Sequence, residues 1–236
     1  EHEFRALEFC RHDAIVKVLR VCAGEVNIPD LKGCSSFLMT EAGLCNMSAF
    51  LKEIKNPNEV VLYAVHFVTA INEAVEFLHR KLRVLHGDIK PDNIFIFPHA
   101  CLHCPPYDAK LGDFGTARFV GTLTQLKLHA FTQSYCPVIT KNKSISCLAY
   151  DCYALVRTLQ KSIEAVAWSV TLPKCKEMLG RIKDLGKWAD EMNEECTRPD
   201  FHCPPESVCD RYFNDPLFTM AVHRKEVTFE WTFASH

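Results

Sequence analysis

The run NPNEVVLYAVHFVTAINEAVEFLHRKL, residues 56–82, constrains the fold more than any other stretch. Val61, Val65, Val68, Ile71, Val75 and Leu78 recur at helical spacing, so an apolar face runs along the whole segment and must be covered by protein. Asn56 stands where an N-cap belongs, Pro57 suits the first helical position, and Glu59 sits three residues after the cap, the pattern of a capping box. Covering such a helix requires a sizeable core. The chain has 236 residues, 48% of them hydrophobic, enough for one large domain or two small lobes sharing a cleft.

Residues 3–10, EFRALEFC, read as an amphipathic helix. AIVKVLRVCAG (14–24) and CSSFLMTEAG (34–43) read as strands. After the long helix come short strands and turns in RVLHGD, NIFIF and AKLGDFG. SISCLAYDCYALVRTLQ, residues 144–160, is apolar nearly all round and predicts a buried helix. The remainder is mostly helical, with a loop at CTRPDFHCPPE. A few strands thus lead and a helical bulk follows, which makes the expected class α+β with two unequal lobes, residues 1–43 and 44–236.

Charge narrows the partners. Lys plus Arg is 27 and Asp plus Glu is 29, a net charge of -2, which argues against nucleic acid. The opening EHEFRALEFC has no apolar signal-peptide core, so the thirteen scattered cysteines are expected to be reduced thiols in a cytoplasmic or nuclear protein. The apolar stretches are expected to be too short, or too interrupted by charge, to span a bilayer, so no membrane partner is expected.

The chemistry concentrates in VLHGDIKPDNIFIF, residues 84–97. Phosphoryl transfer needs in-line positioning, a group that orients the attacking hydroxyl, and cations on the phosphate oxygens. Asp88 suits the second role, and Lys90, two residues on in an extended loop, projects to the same side and can neutralise a transferring phosphate. Asn93 offers a carbonyl oxygen to a hard cation such as magnesium. In LGDFG, Asp113 adds a carboxylate and Gly115 lets the backbone turn behind it.

HGDIKPDN followed by DFG resembles the catalytic loop and metal-binding turn of eukaryotic protein kinases. The resemblance implies a kinase-like fold, ATP and Mg2+ as cofactors, and a protein substrate. It casts Asp88, Lys90 and Asn93 as catalytic and Asn93 with Asp113 as the magnesium ligands. Glu3 falls on the helix glutamate that pairs with the nucleotide-contacting lysine. Thr40 resembles the gatekeeper and Glu41 to Gly43 the hinge on adenine. Asn46 or Met47 falls near the ribose, and Phe95 resembles the residue packing below adenine. Leu7, His86 and Phe114 resemble the stacked residues linking the lobes, anchored at Asp151. DIKPDN is the serine/threonine form of the loop, and Thr132 in FTQSYCP resembles the threonine that contacts the catalytic acid. Arg198 and Pro199, followed by YFNDPLF, resemble the ending of many serine/threonine kinases.

Three departures stand out. Gly87 replaces the usual arginine, so phosphorylation at Thr122 or Thr124 would lack its main cationic receiver. SYCPVI has no glutamate where the family reads alanine-proline-glutamate, which removes the expected ion partner of Arg198. No glycine-rich loop and no strand lysine precede Glu3, so the small lobe is expected to be truncated and nucleotide binding by this chain weak. These departures keep a second function open, a kinase-like scaffold or interaction module without turnover. His99, Cys101, His103 and Cys104 are too crowded for an unstrained zinc site and read as a surface loop. Trp168, Trp188 and Trp231 read as packing residues, and KEMLGRIKDLGKWADEMNEE as a helix with a solvated face.

Overall fold

A computed structural model describes residues 10–23, 36–120, 126–127, 132–137, 145–195 and 207–230. Strands β1 (Val18–Ala23) and β2 (Ser36–Thr40) form an antiparallel hairpin. The expected strand from residue 14 is shorter than its apolar run, because Ile15 bridges to Leu111 instead, with Val16 N–H donating to Leu111 O at 2.9 Å. Strand β3 (Cys45–Asn46) then leads into helix α1 (Met47–Glu53), capped by Asn46, whose Oδ1 accepts the Ala49 N–H at 2.8 Å.

Helix α2 (Pro57–Phe77) is the core helix that the spacing predicts, with Val61, Ala64, Phe67, Val68, Ile71 and Val75 completely or almost completely buried. Asn56 does cap it, accepting the Asn58 N–H at 3.0 Å. The capping box does not form. Glu59 is buried and turns to Thr228, accepting its N–H at 3.0 Å and its hydroxyl at 2.6 Å. A buried carboxylate takes the strongest donors in reach, and the segment around Thr228 outcompetes the helix's own cap. The helix also departs from the expectation about bilayers. Over Pro57–Leu82 its length and hydropathy suffice for a span, but 67% of that window is buried in protein, as in the core helix of a water-facing fold.

The helix does not run on as α to its end. Leu78–Leu82 widen into a π-turn, and Arg83 closes it in the left-handed region at φ 57. Strand β4 (Val84–Leu85) follows, and only these two residues of RVLHGD are strand. Strands β5 (Ile94–Pro98) and β6 (Tyr107–Leu111) pair antiparallel, Phe95 opposite Lys110, and β3 adds to the free side of β5. The 99–106 connection is held rather than loose: His99 N–H donates to Pro106 O at 2.7 Å and Arg224 N–H to His103 O at 2.9 Å.

Strand β7 (Arg118–Phe119) pairs with β4, and β8 (Leu126–Lys127) with β9 (Ile145–Ser146). The buried helix expected from 144 therefore begins later, as α3 (Ala149–Ile163), because its first residues are drawn into the β8 pairing. Helix α4 (Pro173–Glu195) packs on α3 with Cys175, Met178, Ile182, Leu185, Trp188, Ala189 and Met192 buried and its charges outward. Helix α5 (Ser207–Phe213) brings Tyr212 against Trp188, rings stacked 5.9 Å apart. The core between these layers is aromatic. Phe50 meets Tyr63, Phe67, Tyr107 and Phe229 edge-on at 5.0–5.3 Å, the favoured geometry for ring quadrupoles. Trp188 packs as expected, whereas Trp168 is 86% exposed and donates its indole N–H to Ala165 O.

Candidate functional site

The 86–93 loop is fixed from below by one carboxylate. Asp151, 2% exposed near the start of α3, accepts the His86 N–H on Oδ2 at 2.8 Å and the Gly87 N–H on Oδ1 at 2.9 Å. Its Oδ2 also bonds His79 Nε2 at 2.9 Å. Two consecutive amides can reach one carboxylate only if the chain turns sharply, and Gly87 does so at φ 84. That conformation costs an L-residue roughly 1–2 kcal/mol and glycine little. The glycine that breaks the family pattern thus fits the local backbone.

Above this anchor, His86 is completely buried, and burial pushes its imidazole below the ordinary range, so it is neutral. Its Nδ1 accepts the Asp88 N–H at 3.4 Å, which assigns the ring proton to Nε2, donating to Gly112 O at 3.1 Å. The ring meets Phe114 edge-on at 4.8 Å, and Thr116 Oγ1 donates to His86 O at 2.8 Å. The two loops that carry Asp88 and Asp113 are therefore tied together through one histidine.

Asp88, Lys90 and Thr132 form a closed triangle. Lys90 Nζ donates to Asp88 Oδ2 at 2.6 Å and to Thr132 Oγ1 at 2.9 Å, and Thr132 Oγ1 donates to Asp88 Oδ1 at 2.6 Å. Asn93 Nδ2 reaches both the Asp88 carbonyl, at 2.8 Å, and its Oδ2, at 3.2 Å. Partial burial by itself would raise the Asp88 pKa. The hydrogen bonds from Lys90 and Thr132 and the lysine's charge outweigh it and hold the carboxyl below its ordinary value. Asp113 is exposed, at φ 58, with Oδ1 accepting the Gly115 N–H at 3.4 Å.

A second group lines a cleft of 350 Å³ beside β5: Val16, Thr40, Glu41, Gly43, Asn46 and Phe95. Phe95 floors it and is pressed closely by Gly112, where an added Cβ would lie 2.8 Å from the ring. Glu41 is braced, accepting from Lys110 Nζ and from Lys17 N–H, each at 2.8 Å. The structure thus brings Asp88, Lys90, Asn93 and Thr132 into one cluster and Thr40, Glu41, Gly43 and Phe95 around one cleft. Glu3, Leu7, Thr122, Thr124, Arg198 and residues 138–139 of SYCPVI lie outside the described residues.

Sequence reasoning missed His79, which bears on Asp151 from the π-turn. Only the presence of a histidine in FLHRKL pointed to it, and its orientation depends on a turn that helical spacing does not predict. A family model of the protein kinase domain matches residues 1–166. No curated protein matches the chain.

Proposed function

The chain belongs to the protein kinase family, and from that premise we propose that it transfers the γ-phosphate of ATP to serine or threonine hydroxyls of a protein substrate. The observation that carries the reading is the Asp88–Lys90–Thr132 triangle, an ionised acceptor, a cation and a hydroxyl within 2.9 Å of one another. Thr132 Oγ1 stands on Asp88 as a substrate hydroxyl would, and exchange of one hydroxyl for the other orients the nucleophile.

Because its carboxyl is held low, Asp88 is a weak base at neutral pH. Its contribution is orientation of the hydroxyl, with the proton accepted late. Lys90 would neutralise charge that develops on the transferring group. Asn93 Oδ1 and the Asp113 carboxylate are hard oxygen donors and fit magnesium, which when bound would neutralise the phosphate oxygens. The cleft over Phe95 fits a flat heterocycle, with Thr40 at its back and Glu41 to Gly43 along its edge.

Replacing Asp88 by Asn in the full chain, with ATP, magnesium and a serine/threonine peptide array, is expected to abolish phosphate incorporation. Undiminished incorporation would overturn the assignment. One observation favours a second reading, a kinase-like scaffold without turnover: both Asp88 oxygens are already engaged by Thr132, Lys90 and Asn93. ATP with magnesium that fails to raise the melting temperature of the wild-type chain, together with no incorporation, would select that reading.

A further inference from the structure

Beside Asp151 lies a group of buried side chains that the phosphate chemistry does not use. His79 from the π-turn, Cys152 from α3 and Cys209 from α5 each bring one ligand atom within 4.8 Å of the others, and all three are buried. Among the described residues no other set of three histidine, cysteine or acidic side chains converges in this way. The crowded quartet at 99–104 does not; there, Cys101 Sγ accepts the N–H groups of His103 and Cys104 instead.

We propose that His79 Nδ1, Cys152 Sγ and Cys209 Sγ bind a zinc ion. One nitrogen and two sulfur donors are the ligand set that zinc takes in tetrahedral sites, whereas hard cations would refuse it. His79 is already set for the role. Its Nε2 is committed to Asp151 at 2.9 Å, and its Nδ1 is buried without a hydrogen bond of acceptable geometry. A histidine that ligates through one nitrogen while a carboxylate holds the other is the usual arrangement at metal centres, and it fixes both tautomer and ring orientation. Without an ion, that Nδ1 is a polar atom desolvated for no return.

The spacing suits the ion. Ligand atoms of a tetrahedral zinc site with Zn–S of ~2.3 Å and Zn–N of ~2.0 Å lie about 3.5–3.8 Å apart, so the cluster has to contract by about 1 Å at most. His79 and Cys209 also line a cavity of 240 Å³, which gives an entry path and room for a water as fourth ligand. Arg80, on the same cavity, is matched by Glu76 and Asp210, each at 2.9 Å, so its charge does not repel the ion unopposed.

Binding involves no redox change. Two thiols lose their protons to solvent and two sulfur–zinc bonds form, with a nitrogen lone pair as the third. The ion would join the end of the α2 π-turn, the start of α3 and the C-terminal helix α5. It would do so one residue away from the carboxylate that holds the 86–93 loop.

The test is metal binding by the full chain, reduced, stripped with chelator and reloaded. Native mass spectrometry with zinc is expected to show one ion per chain and the loss of two protons. Cobalt(II) is expected to give the visible bands of a tetrahedral site with thiolate-to-metal charge transfer. Cys209→Ser and Cys152→Ala should each weaken binding by more than the 10–100-fold typical of an outer-shell change. The double variant Cys101→Ser/Cys104→Ser should leave it intact. Folded wild-type chain that gives no tetrahedral cobalt spectrum would overturn the proposal, as would a spectrum that survives Cys209→Ser or one lost in the 101/104 variant. Should the single variants lose their far-ultraviolet dichroism, the wild-type spectrum and its proton count decide.

Discussion

The carboxylate of Asp151 holds the amide of Gly87 across 64 residues of chain, Oδ1 accepting the N–H at 2.9 Å. The bond is buried and one of three made by the same side chain, so it sets the entry angle of the loop that carries Asp88.

Asp151→Ala is expected to lower stability by about 2–5 kcal/mol, because it strands the His86 and Gly87 N–H groups and the His79 imidazole in a dry interior. Urea denaturation followed by far-ultraviolet dichroism measures it. A loss below about 1 kcal/mol would mean that the loop is held by other contacts.

Gly87→Ala and Gly87→Arg are expected to cost the same roughly 1–2 kcal/mol, since the penalty comes from placing any Cβ at this positive φ. Equal shifts in the urea midpoint check it. If arginine alone were costly, the side chain rather than the backbone would be at fault.

Lys90→Met is expected to change the acid limb of the stability curve. Asp88 is held below its ordinary value, so its contribution is fully present above the unfolded-state value of about 3.9 and is lost as pH falls through the lower folded value. Without Lys90 that contribution shrinks. The variant should then lose less stability than wild type between about pH 5 and pH 2, as read by denaturation at each pH. An unchanged slope would show that Thr132 and Asn93 suffice to hold the carboxyl down.

Much of this could be read in the residues themselves. The helical repeat of α2 and the spacing of Asp88, Lys90 and Asn93 are local signals, and the structure keeps both. What escaped the reading is non-local. Glu59 left its expected capping role because Thr228, 169 residues away, offers better donors. Ile15 left its expected strand for Leu111. His79, Cys152 and Cys209 are unremarkable in sequence and meet only because the π-turn, α3 and α5 converge. Trp168 was expected in the core on its size alone, and size does not decide which face of a connection points inward.

Gly112→Ala is expected to weaken nucleotide binding without touching the cleft's polar groups. The new methyl would meet the Phe95 ring at 2.8 Å and Val16 at 3.1 Å, so the ring must shift. The overpacking should cost about 1–3 kcal/mol. The melting-temperature rise with ATP and magnesium should fall relative to wild type. An undiminished rise would remove Phe95 from the nucleotide site.

The π-turn at Leu78–Leu82 makes chain length, as well as residue type, part of the instruction. A π-turn holds one residue more than the α geometry around it. A single deletion there would let the helix close normally and turn every later residue by about 100° around its axis. His86, Gly87 and Asp88 would then arrive at Asp151 out of phase. This stretch should accept many substitutions yet reject a one-residue change in length, so a deletion scan across 78–83 would map the constraint more sharply than an alanine scan.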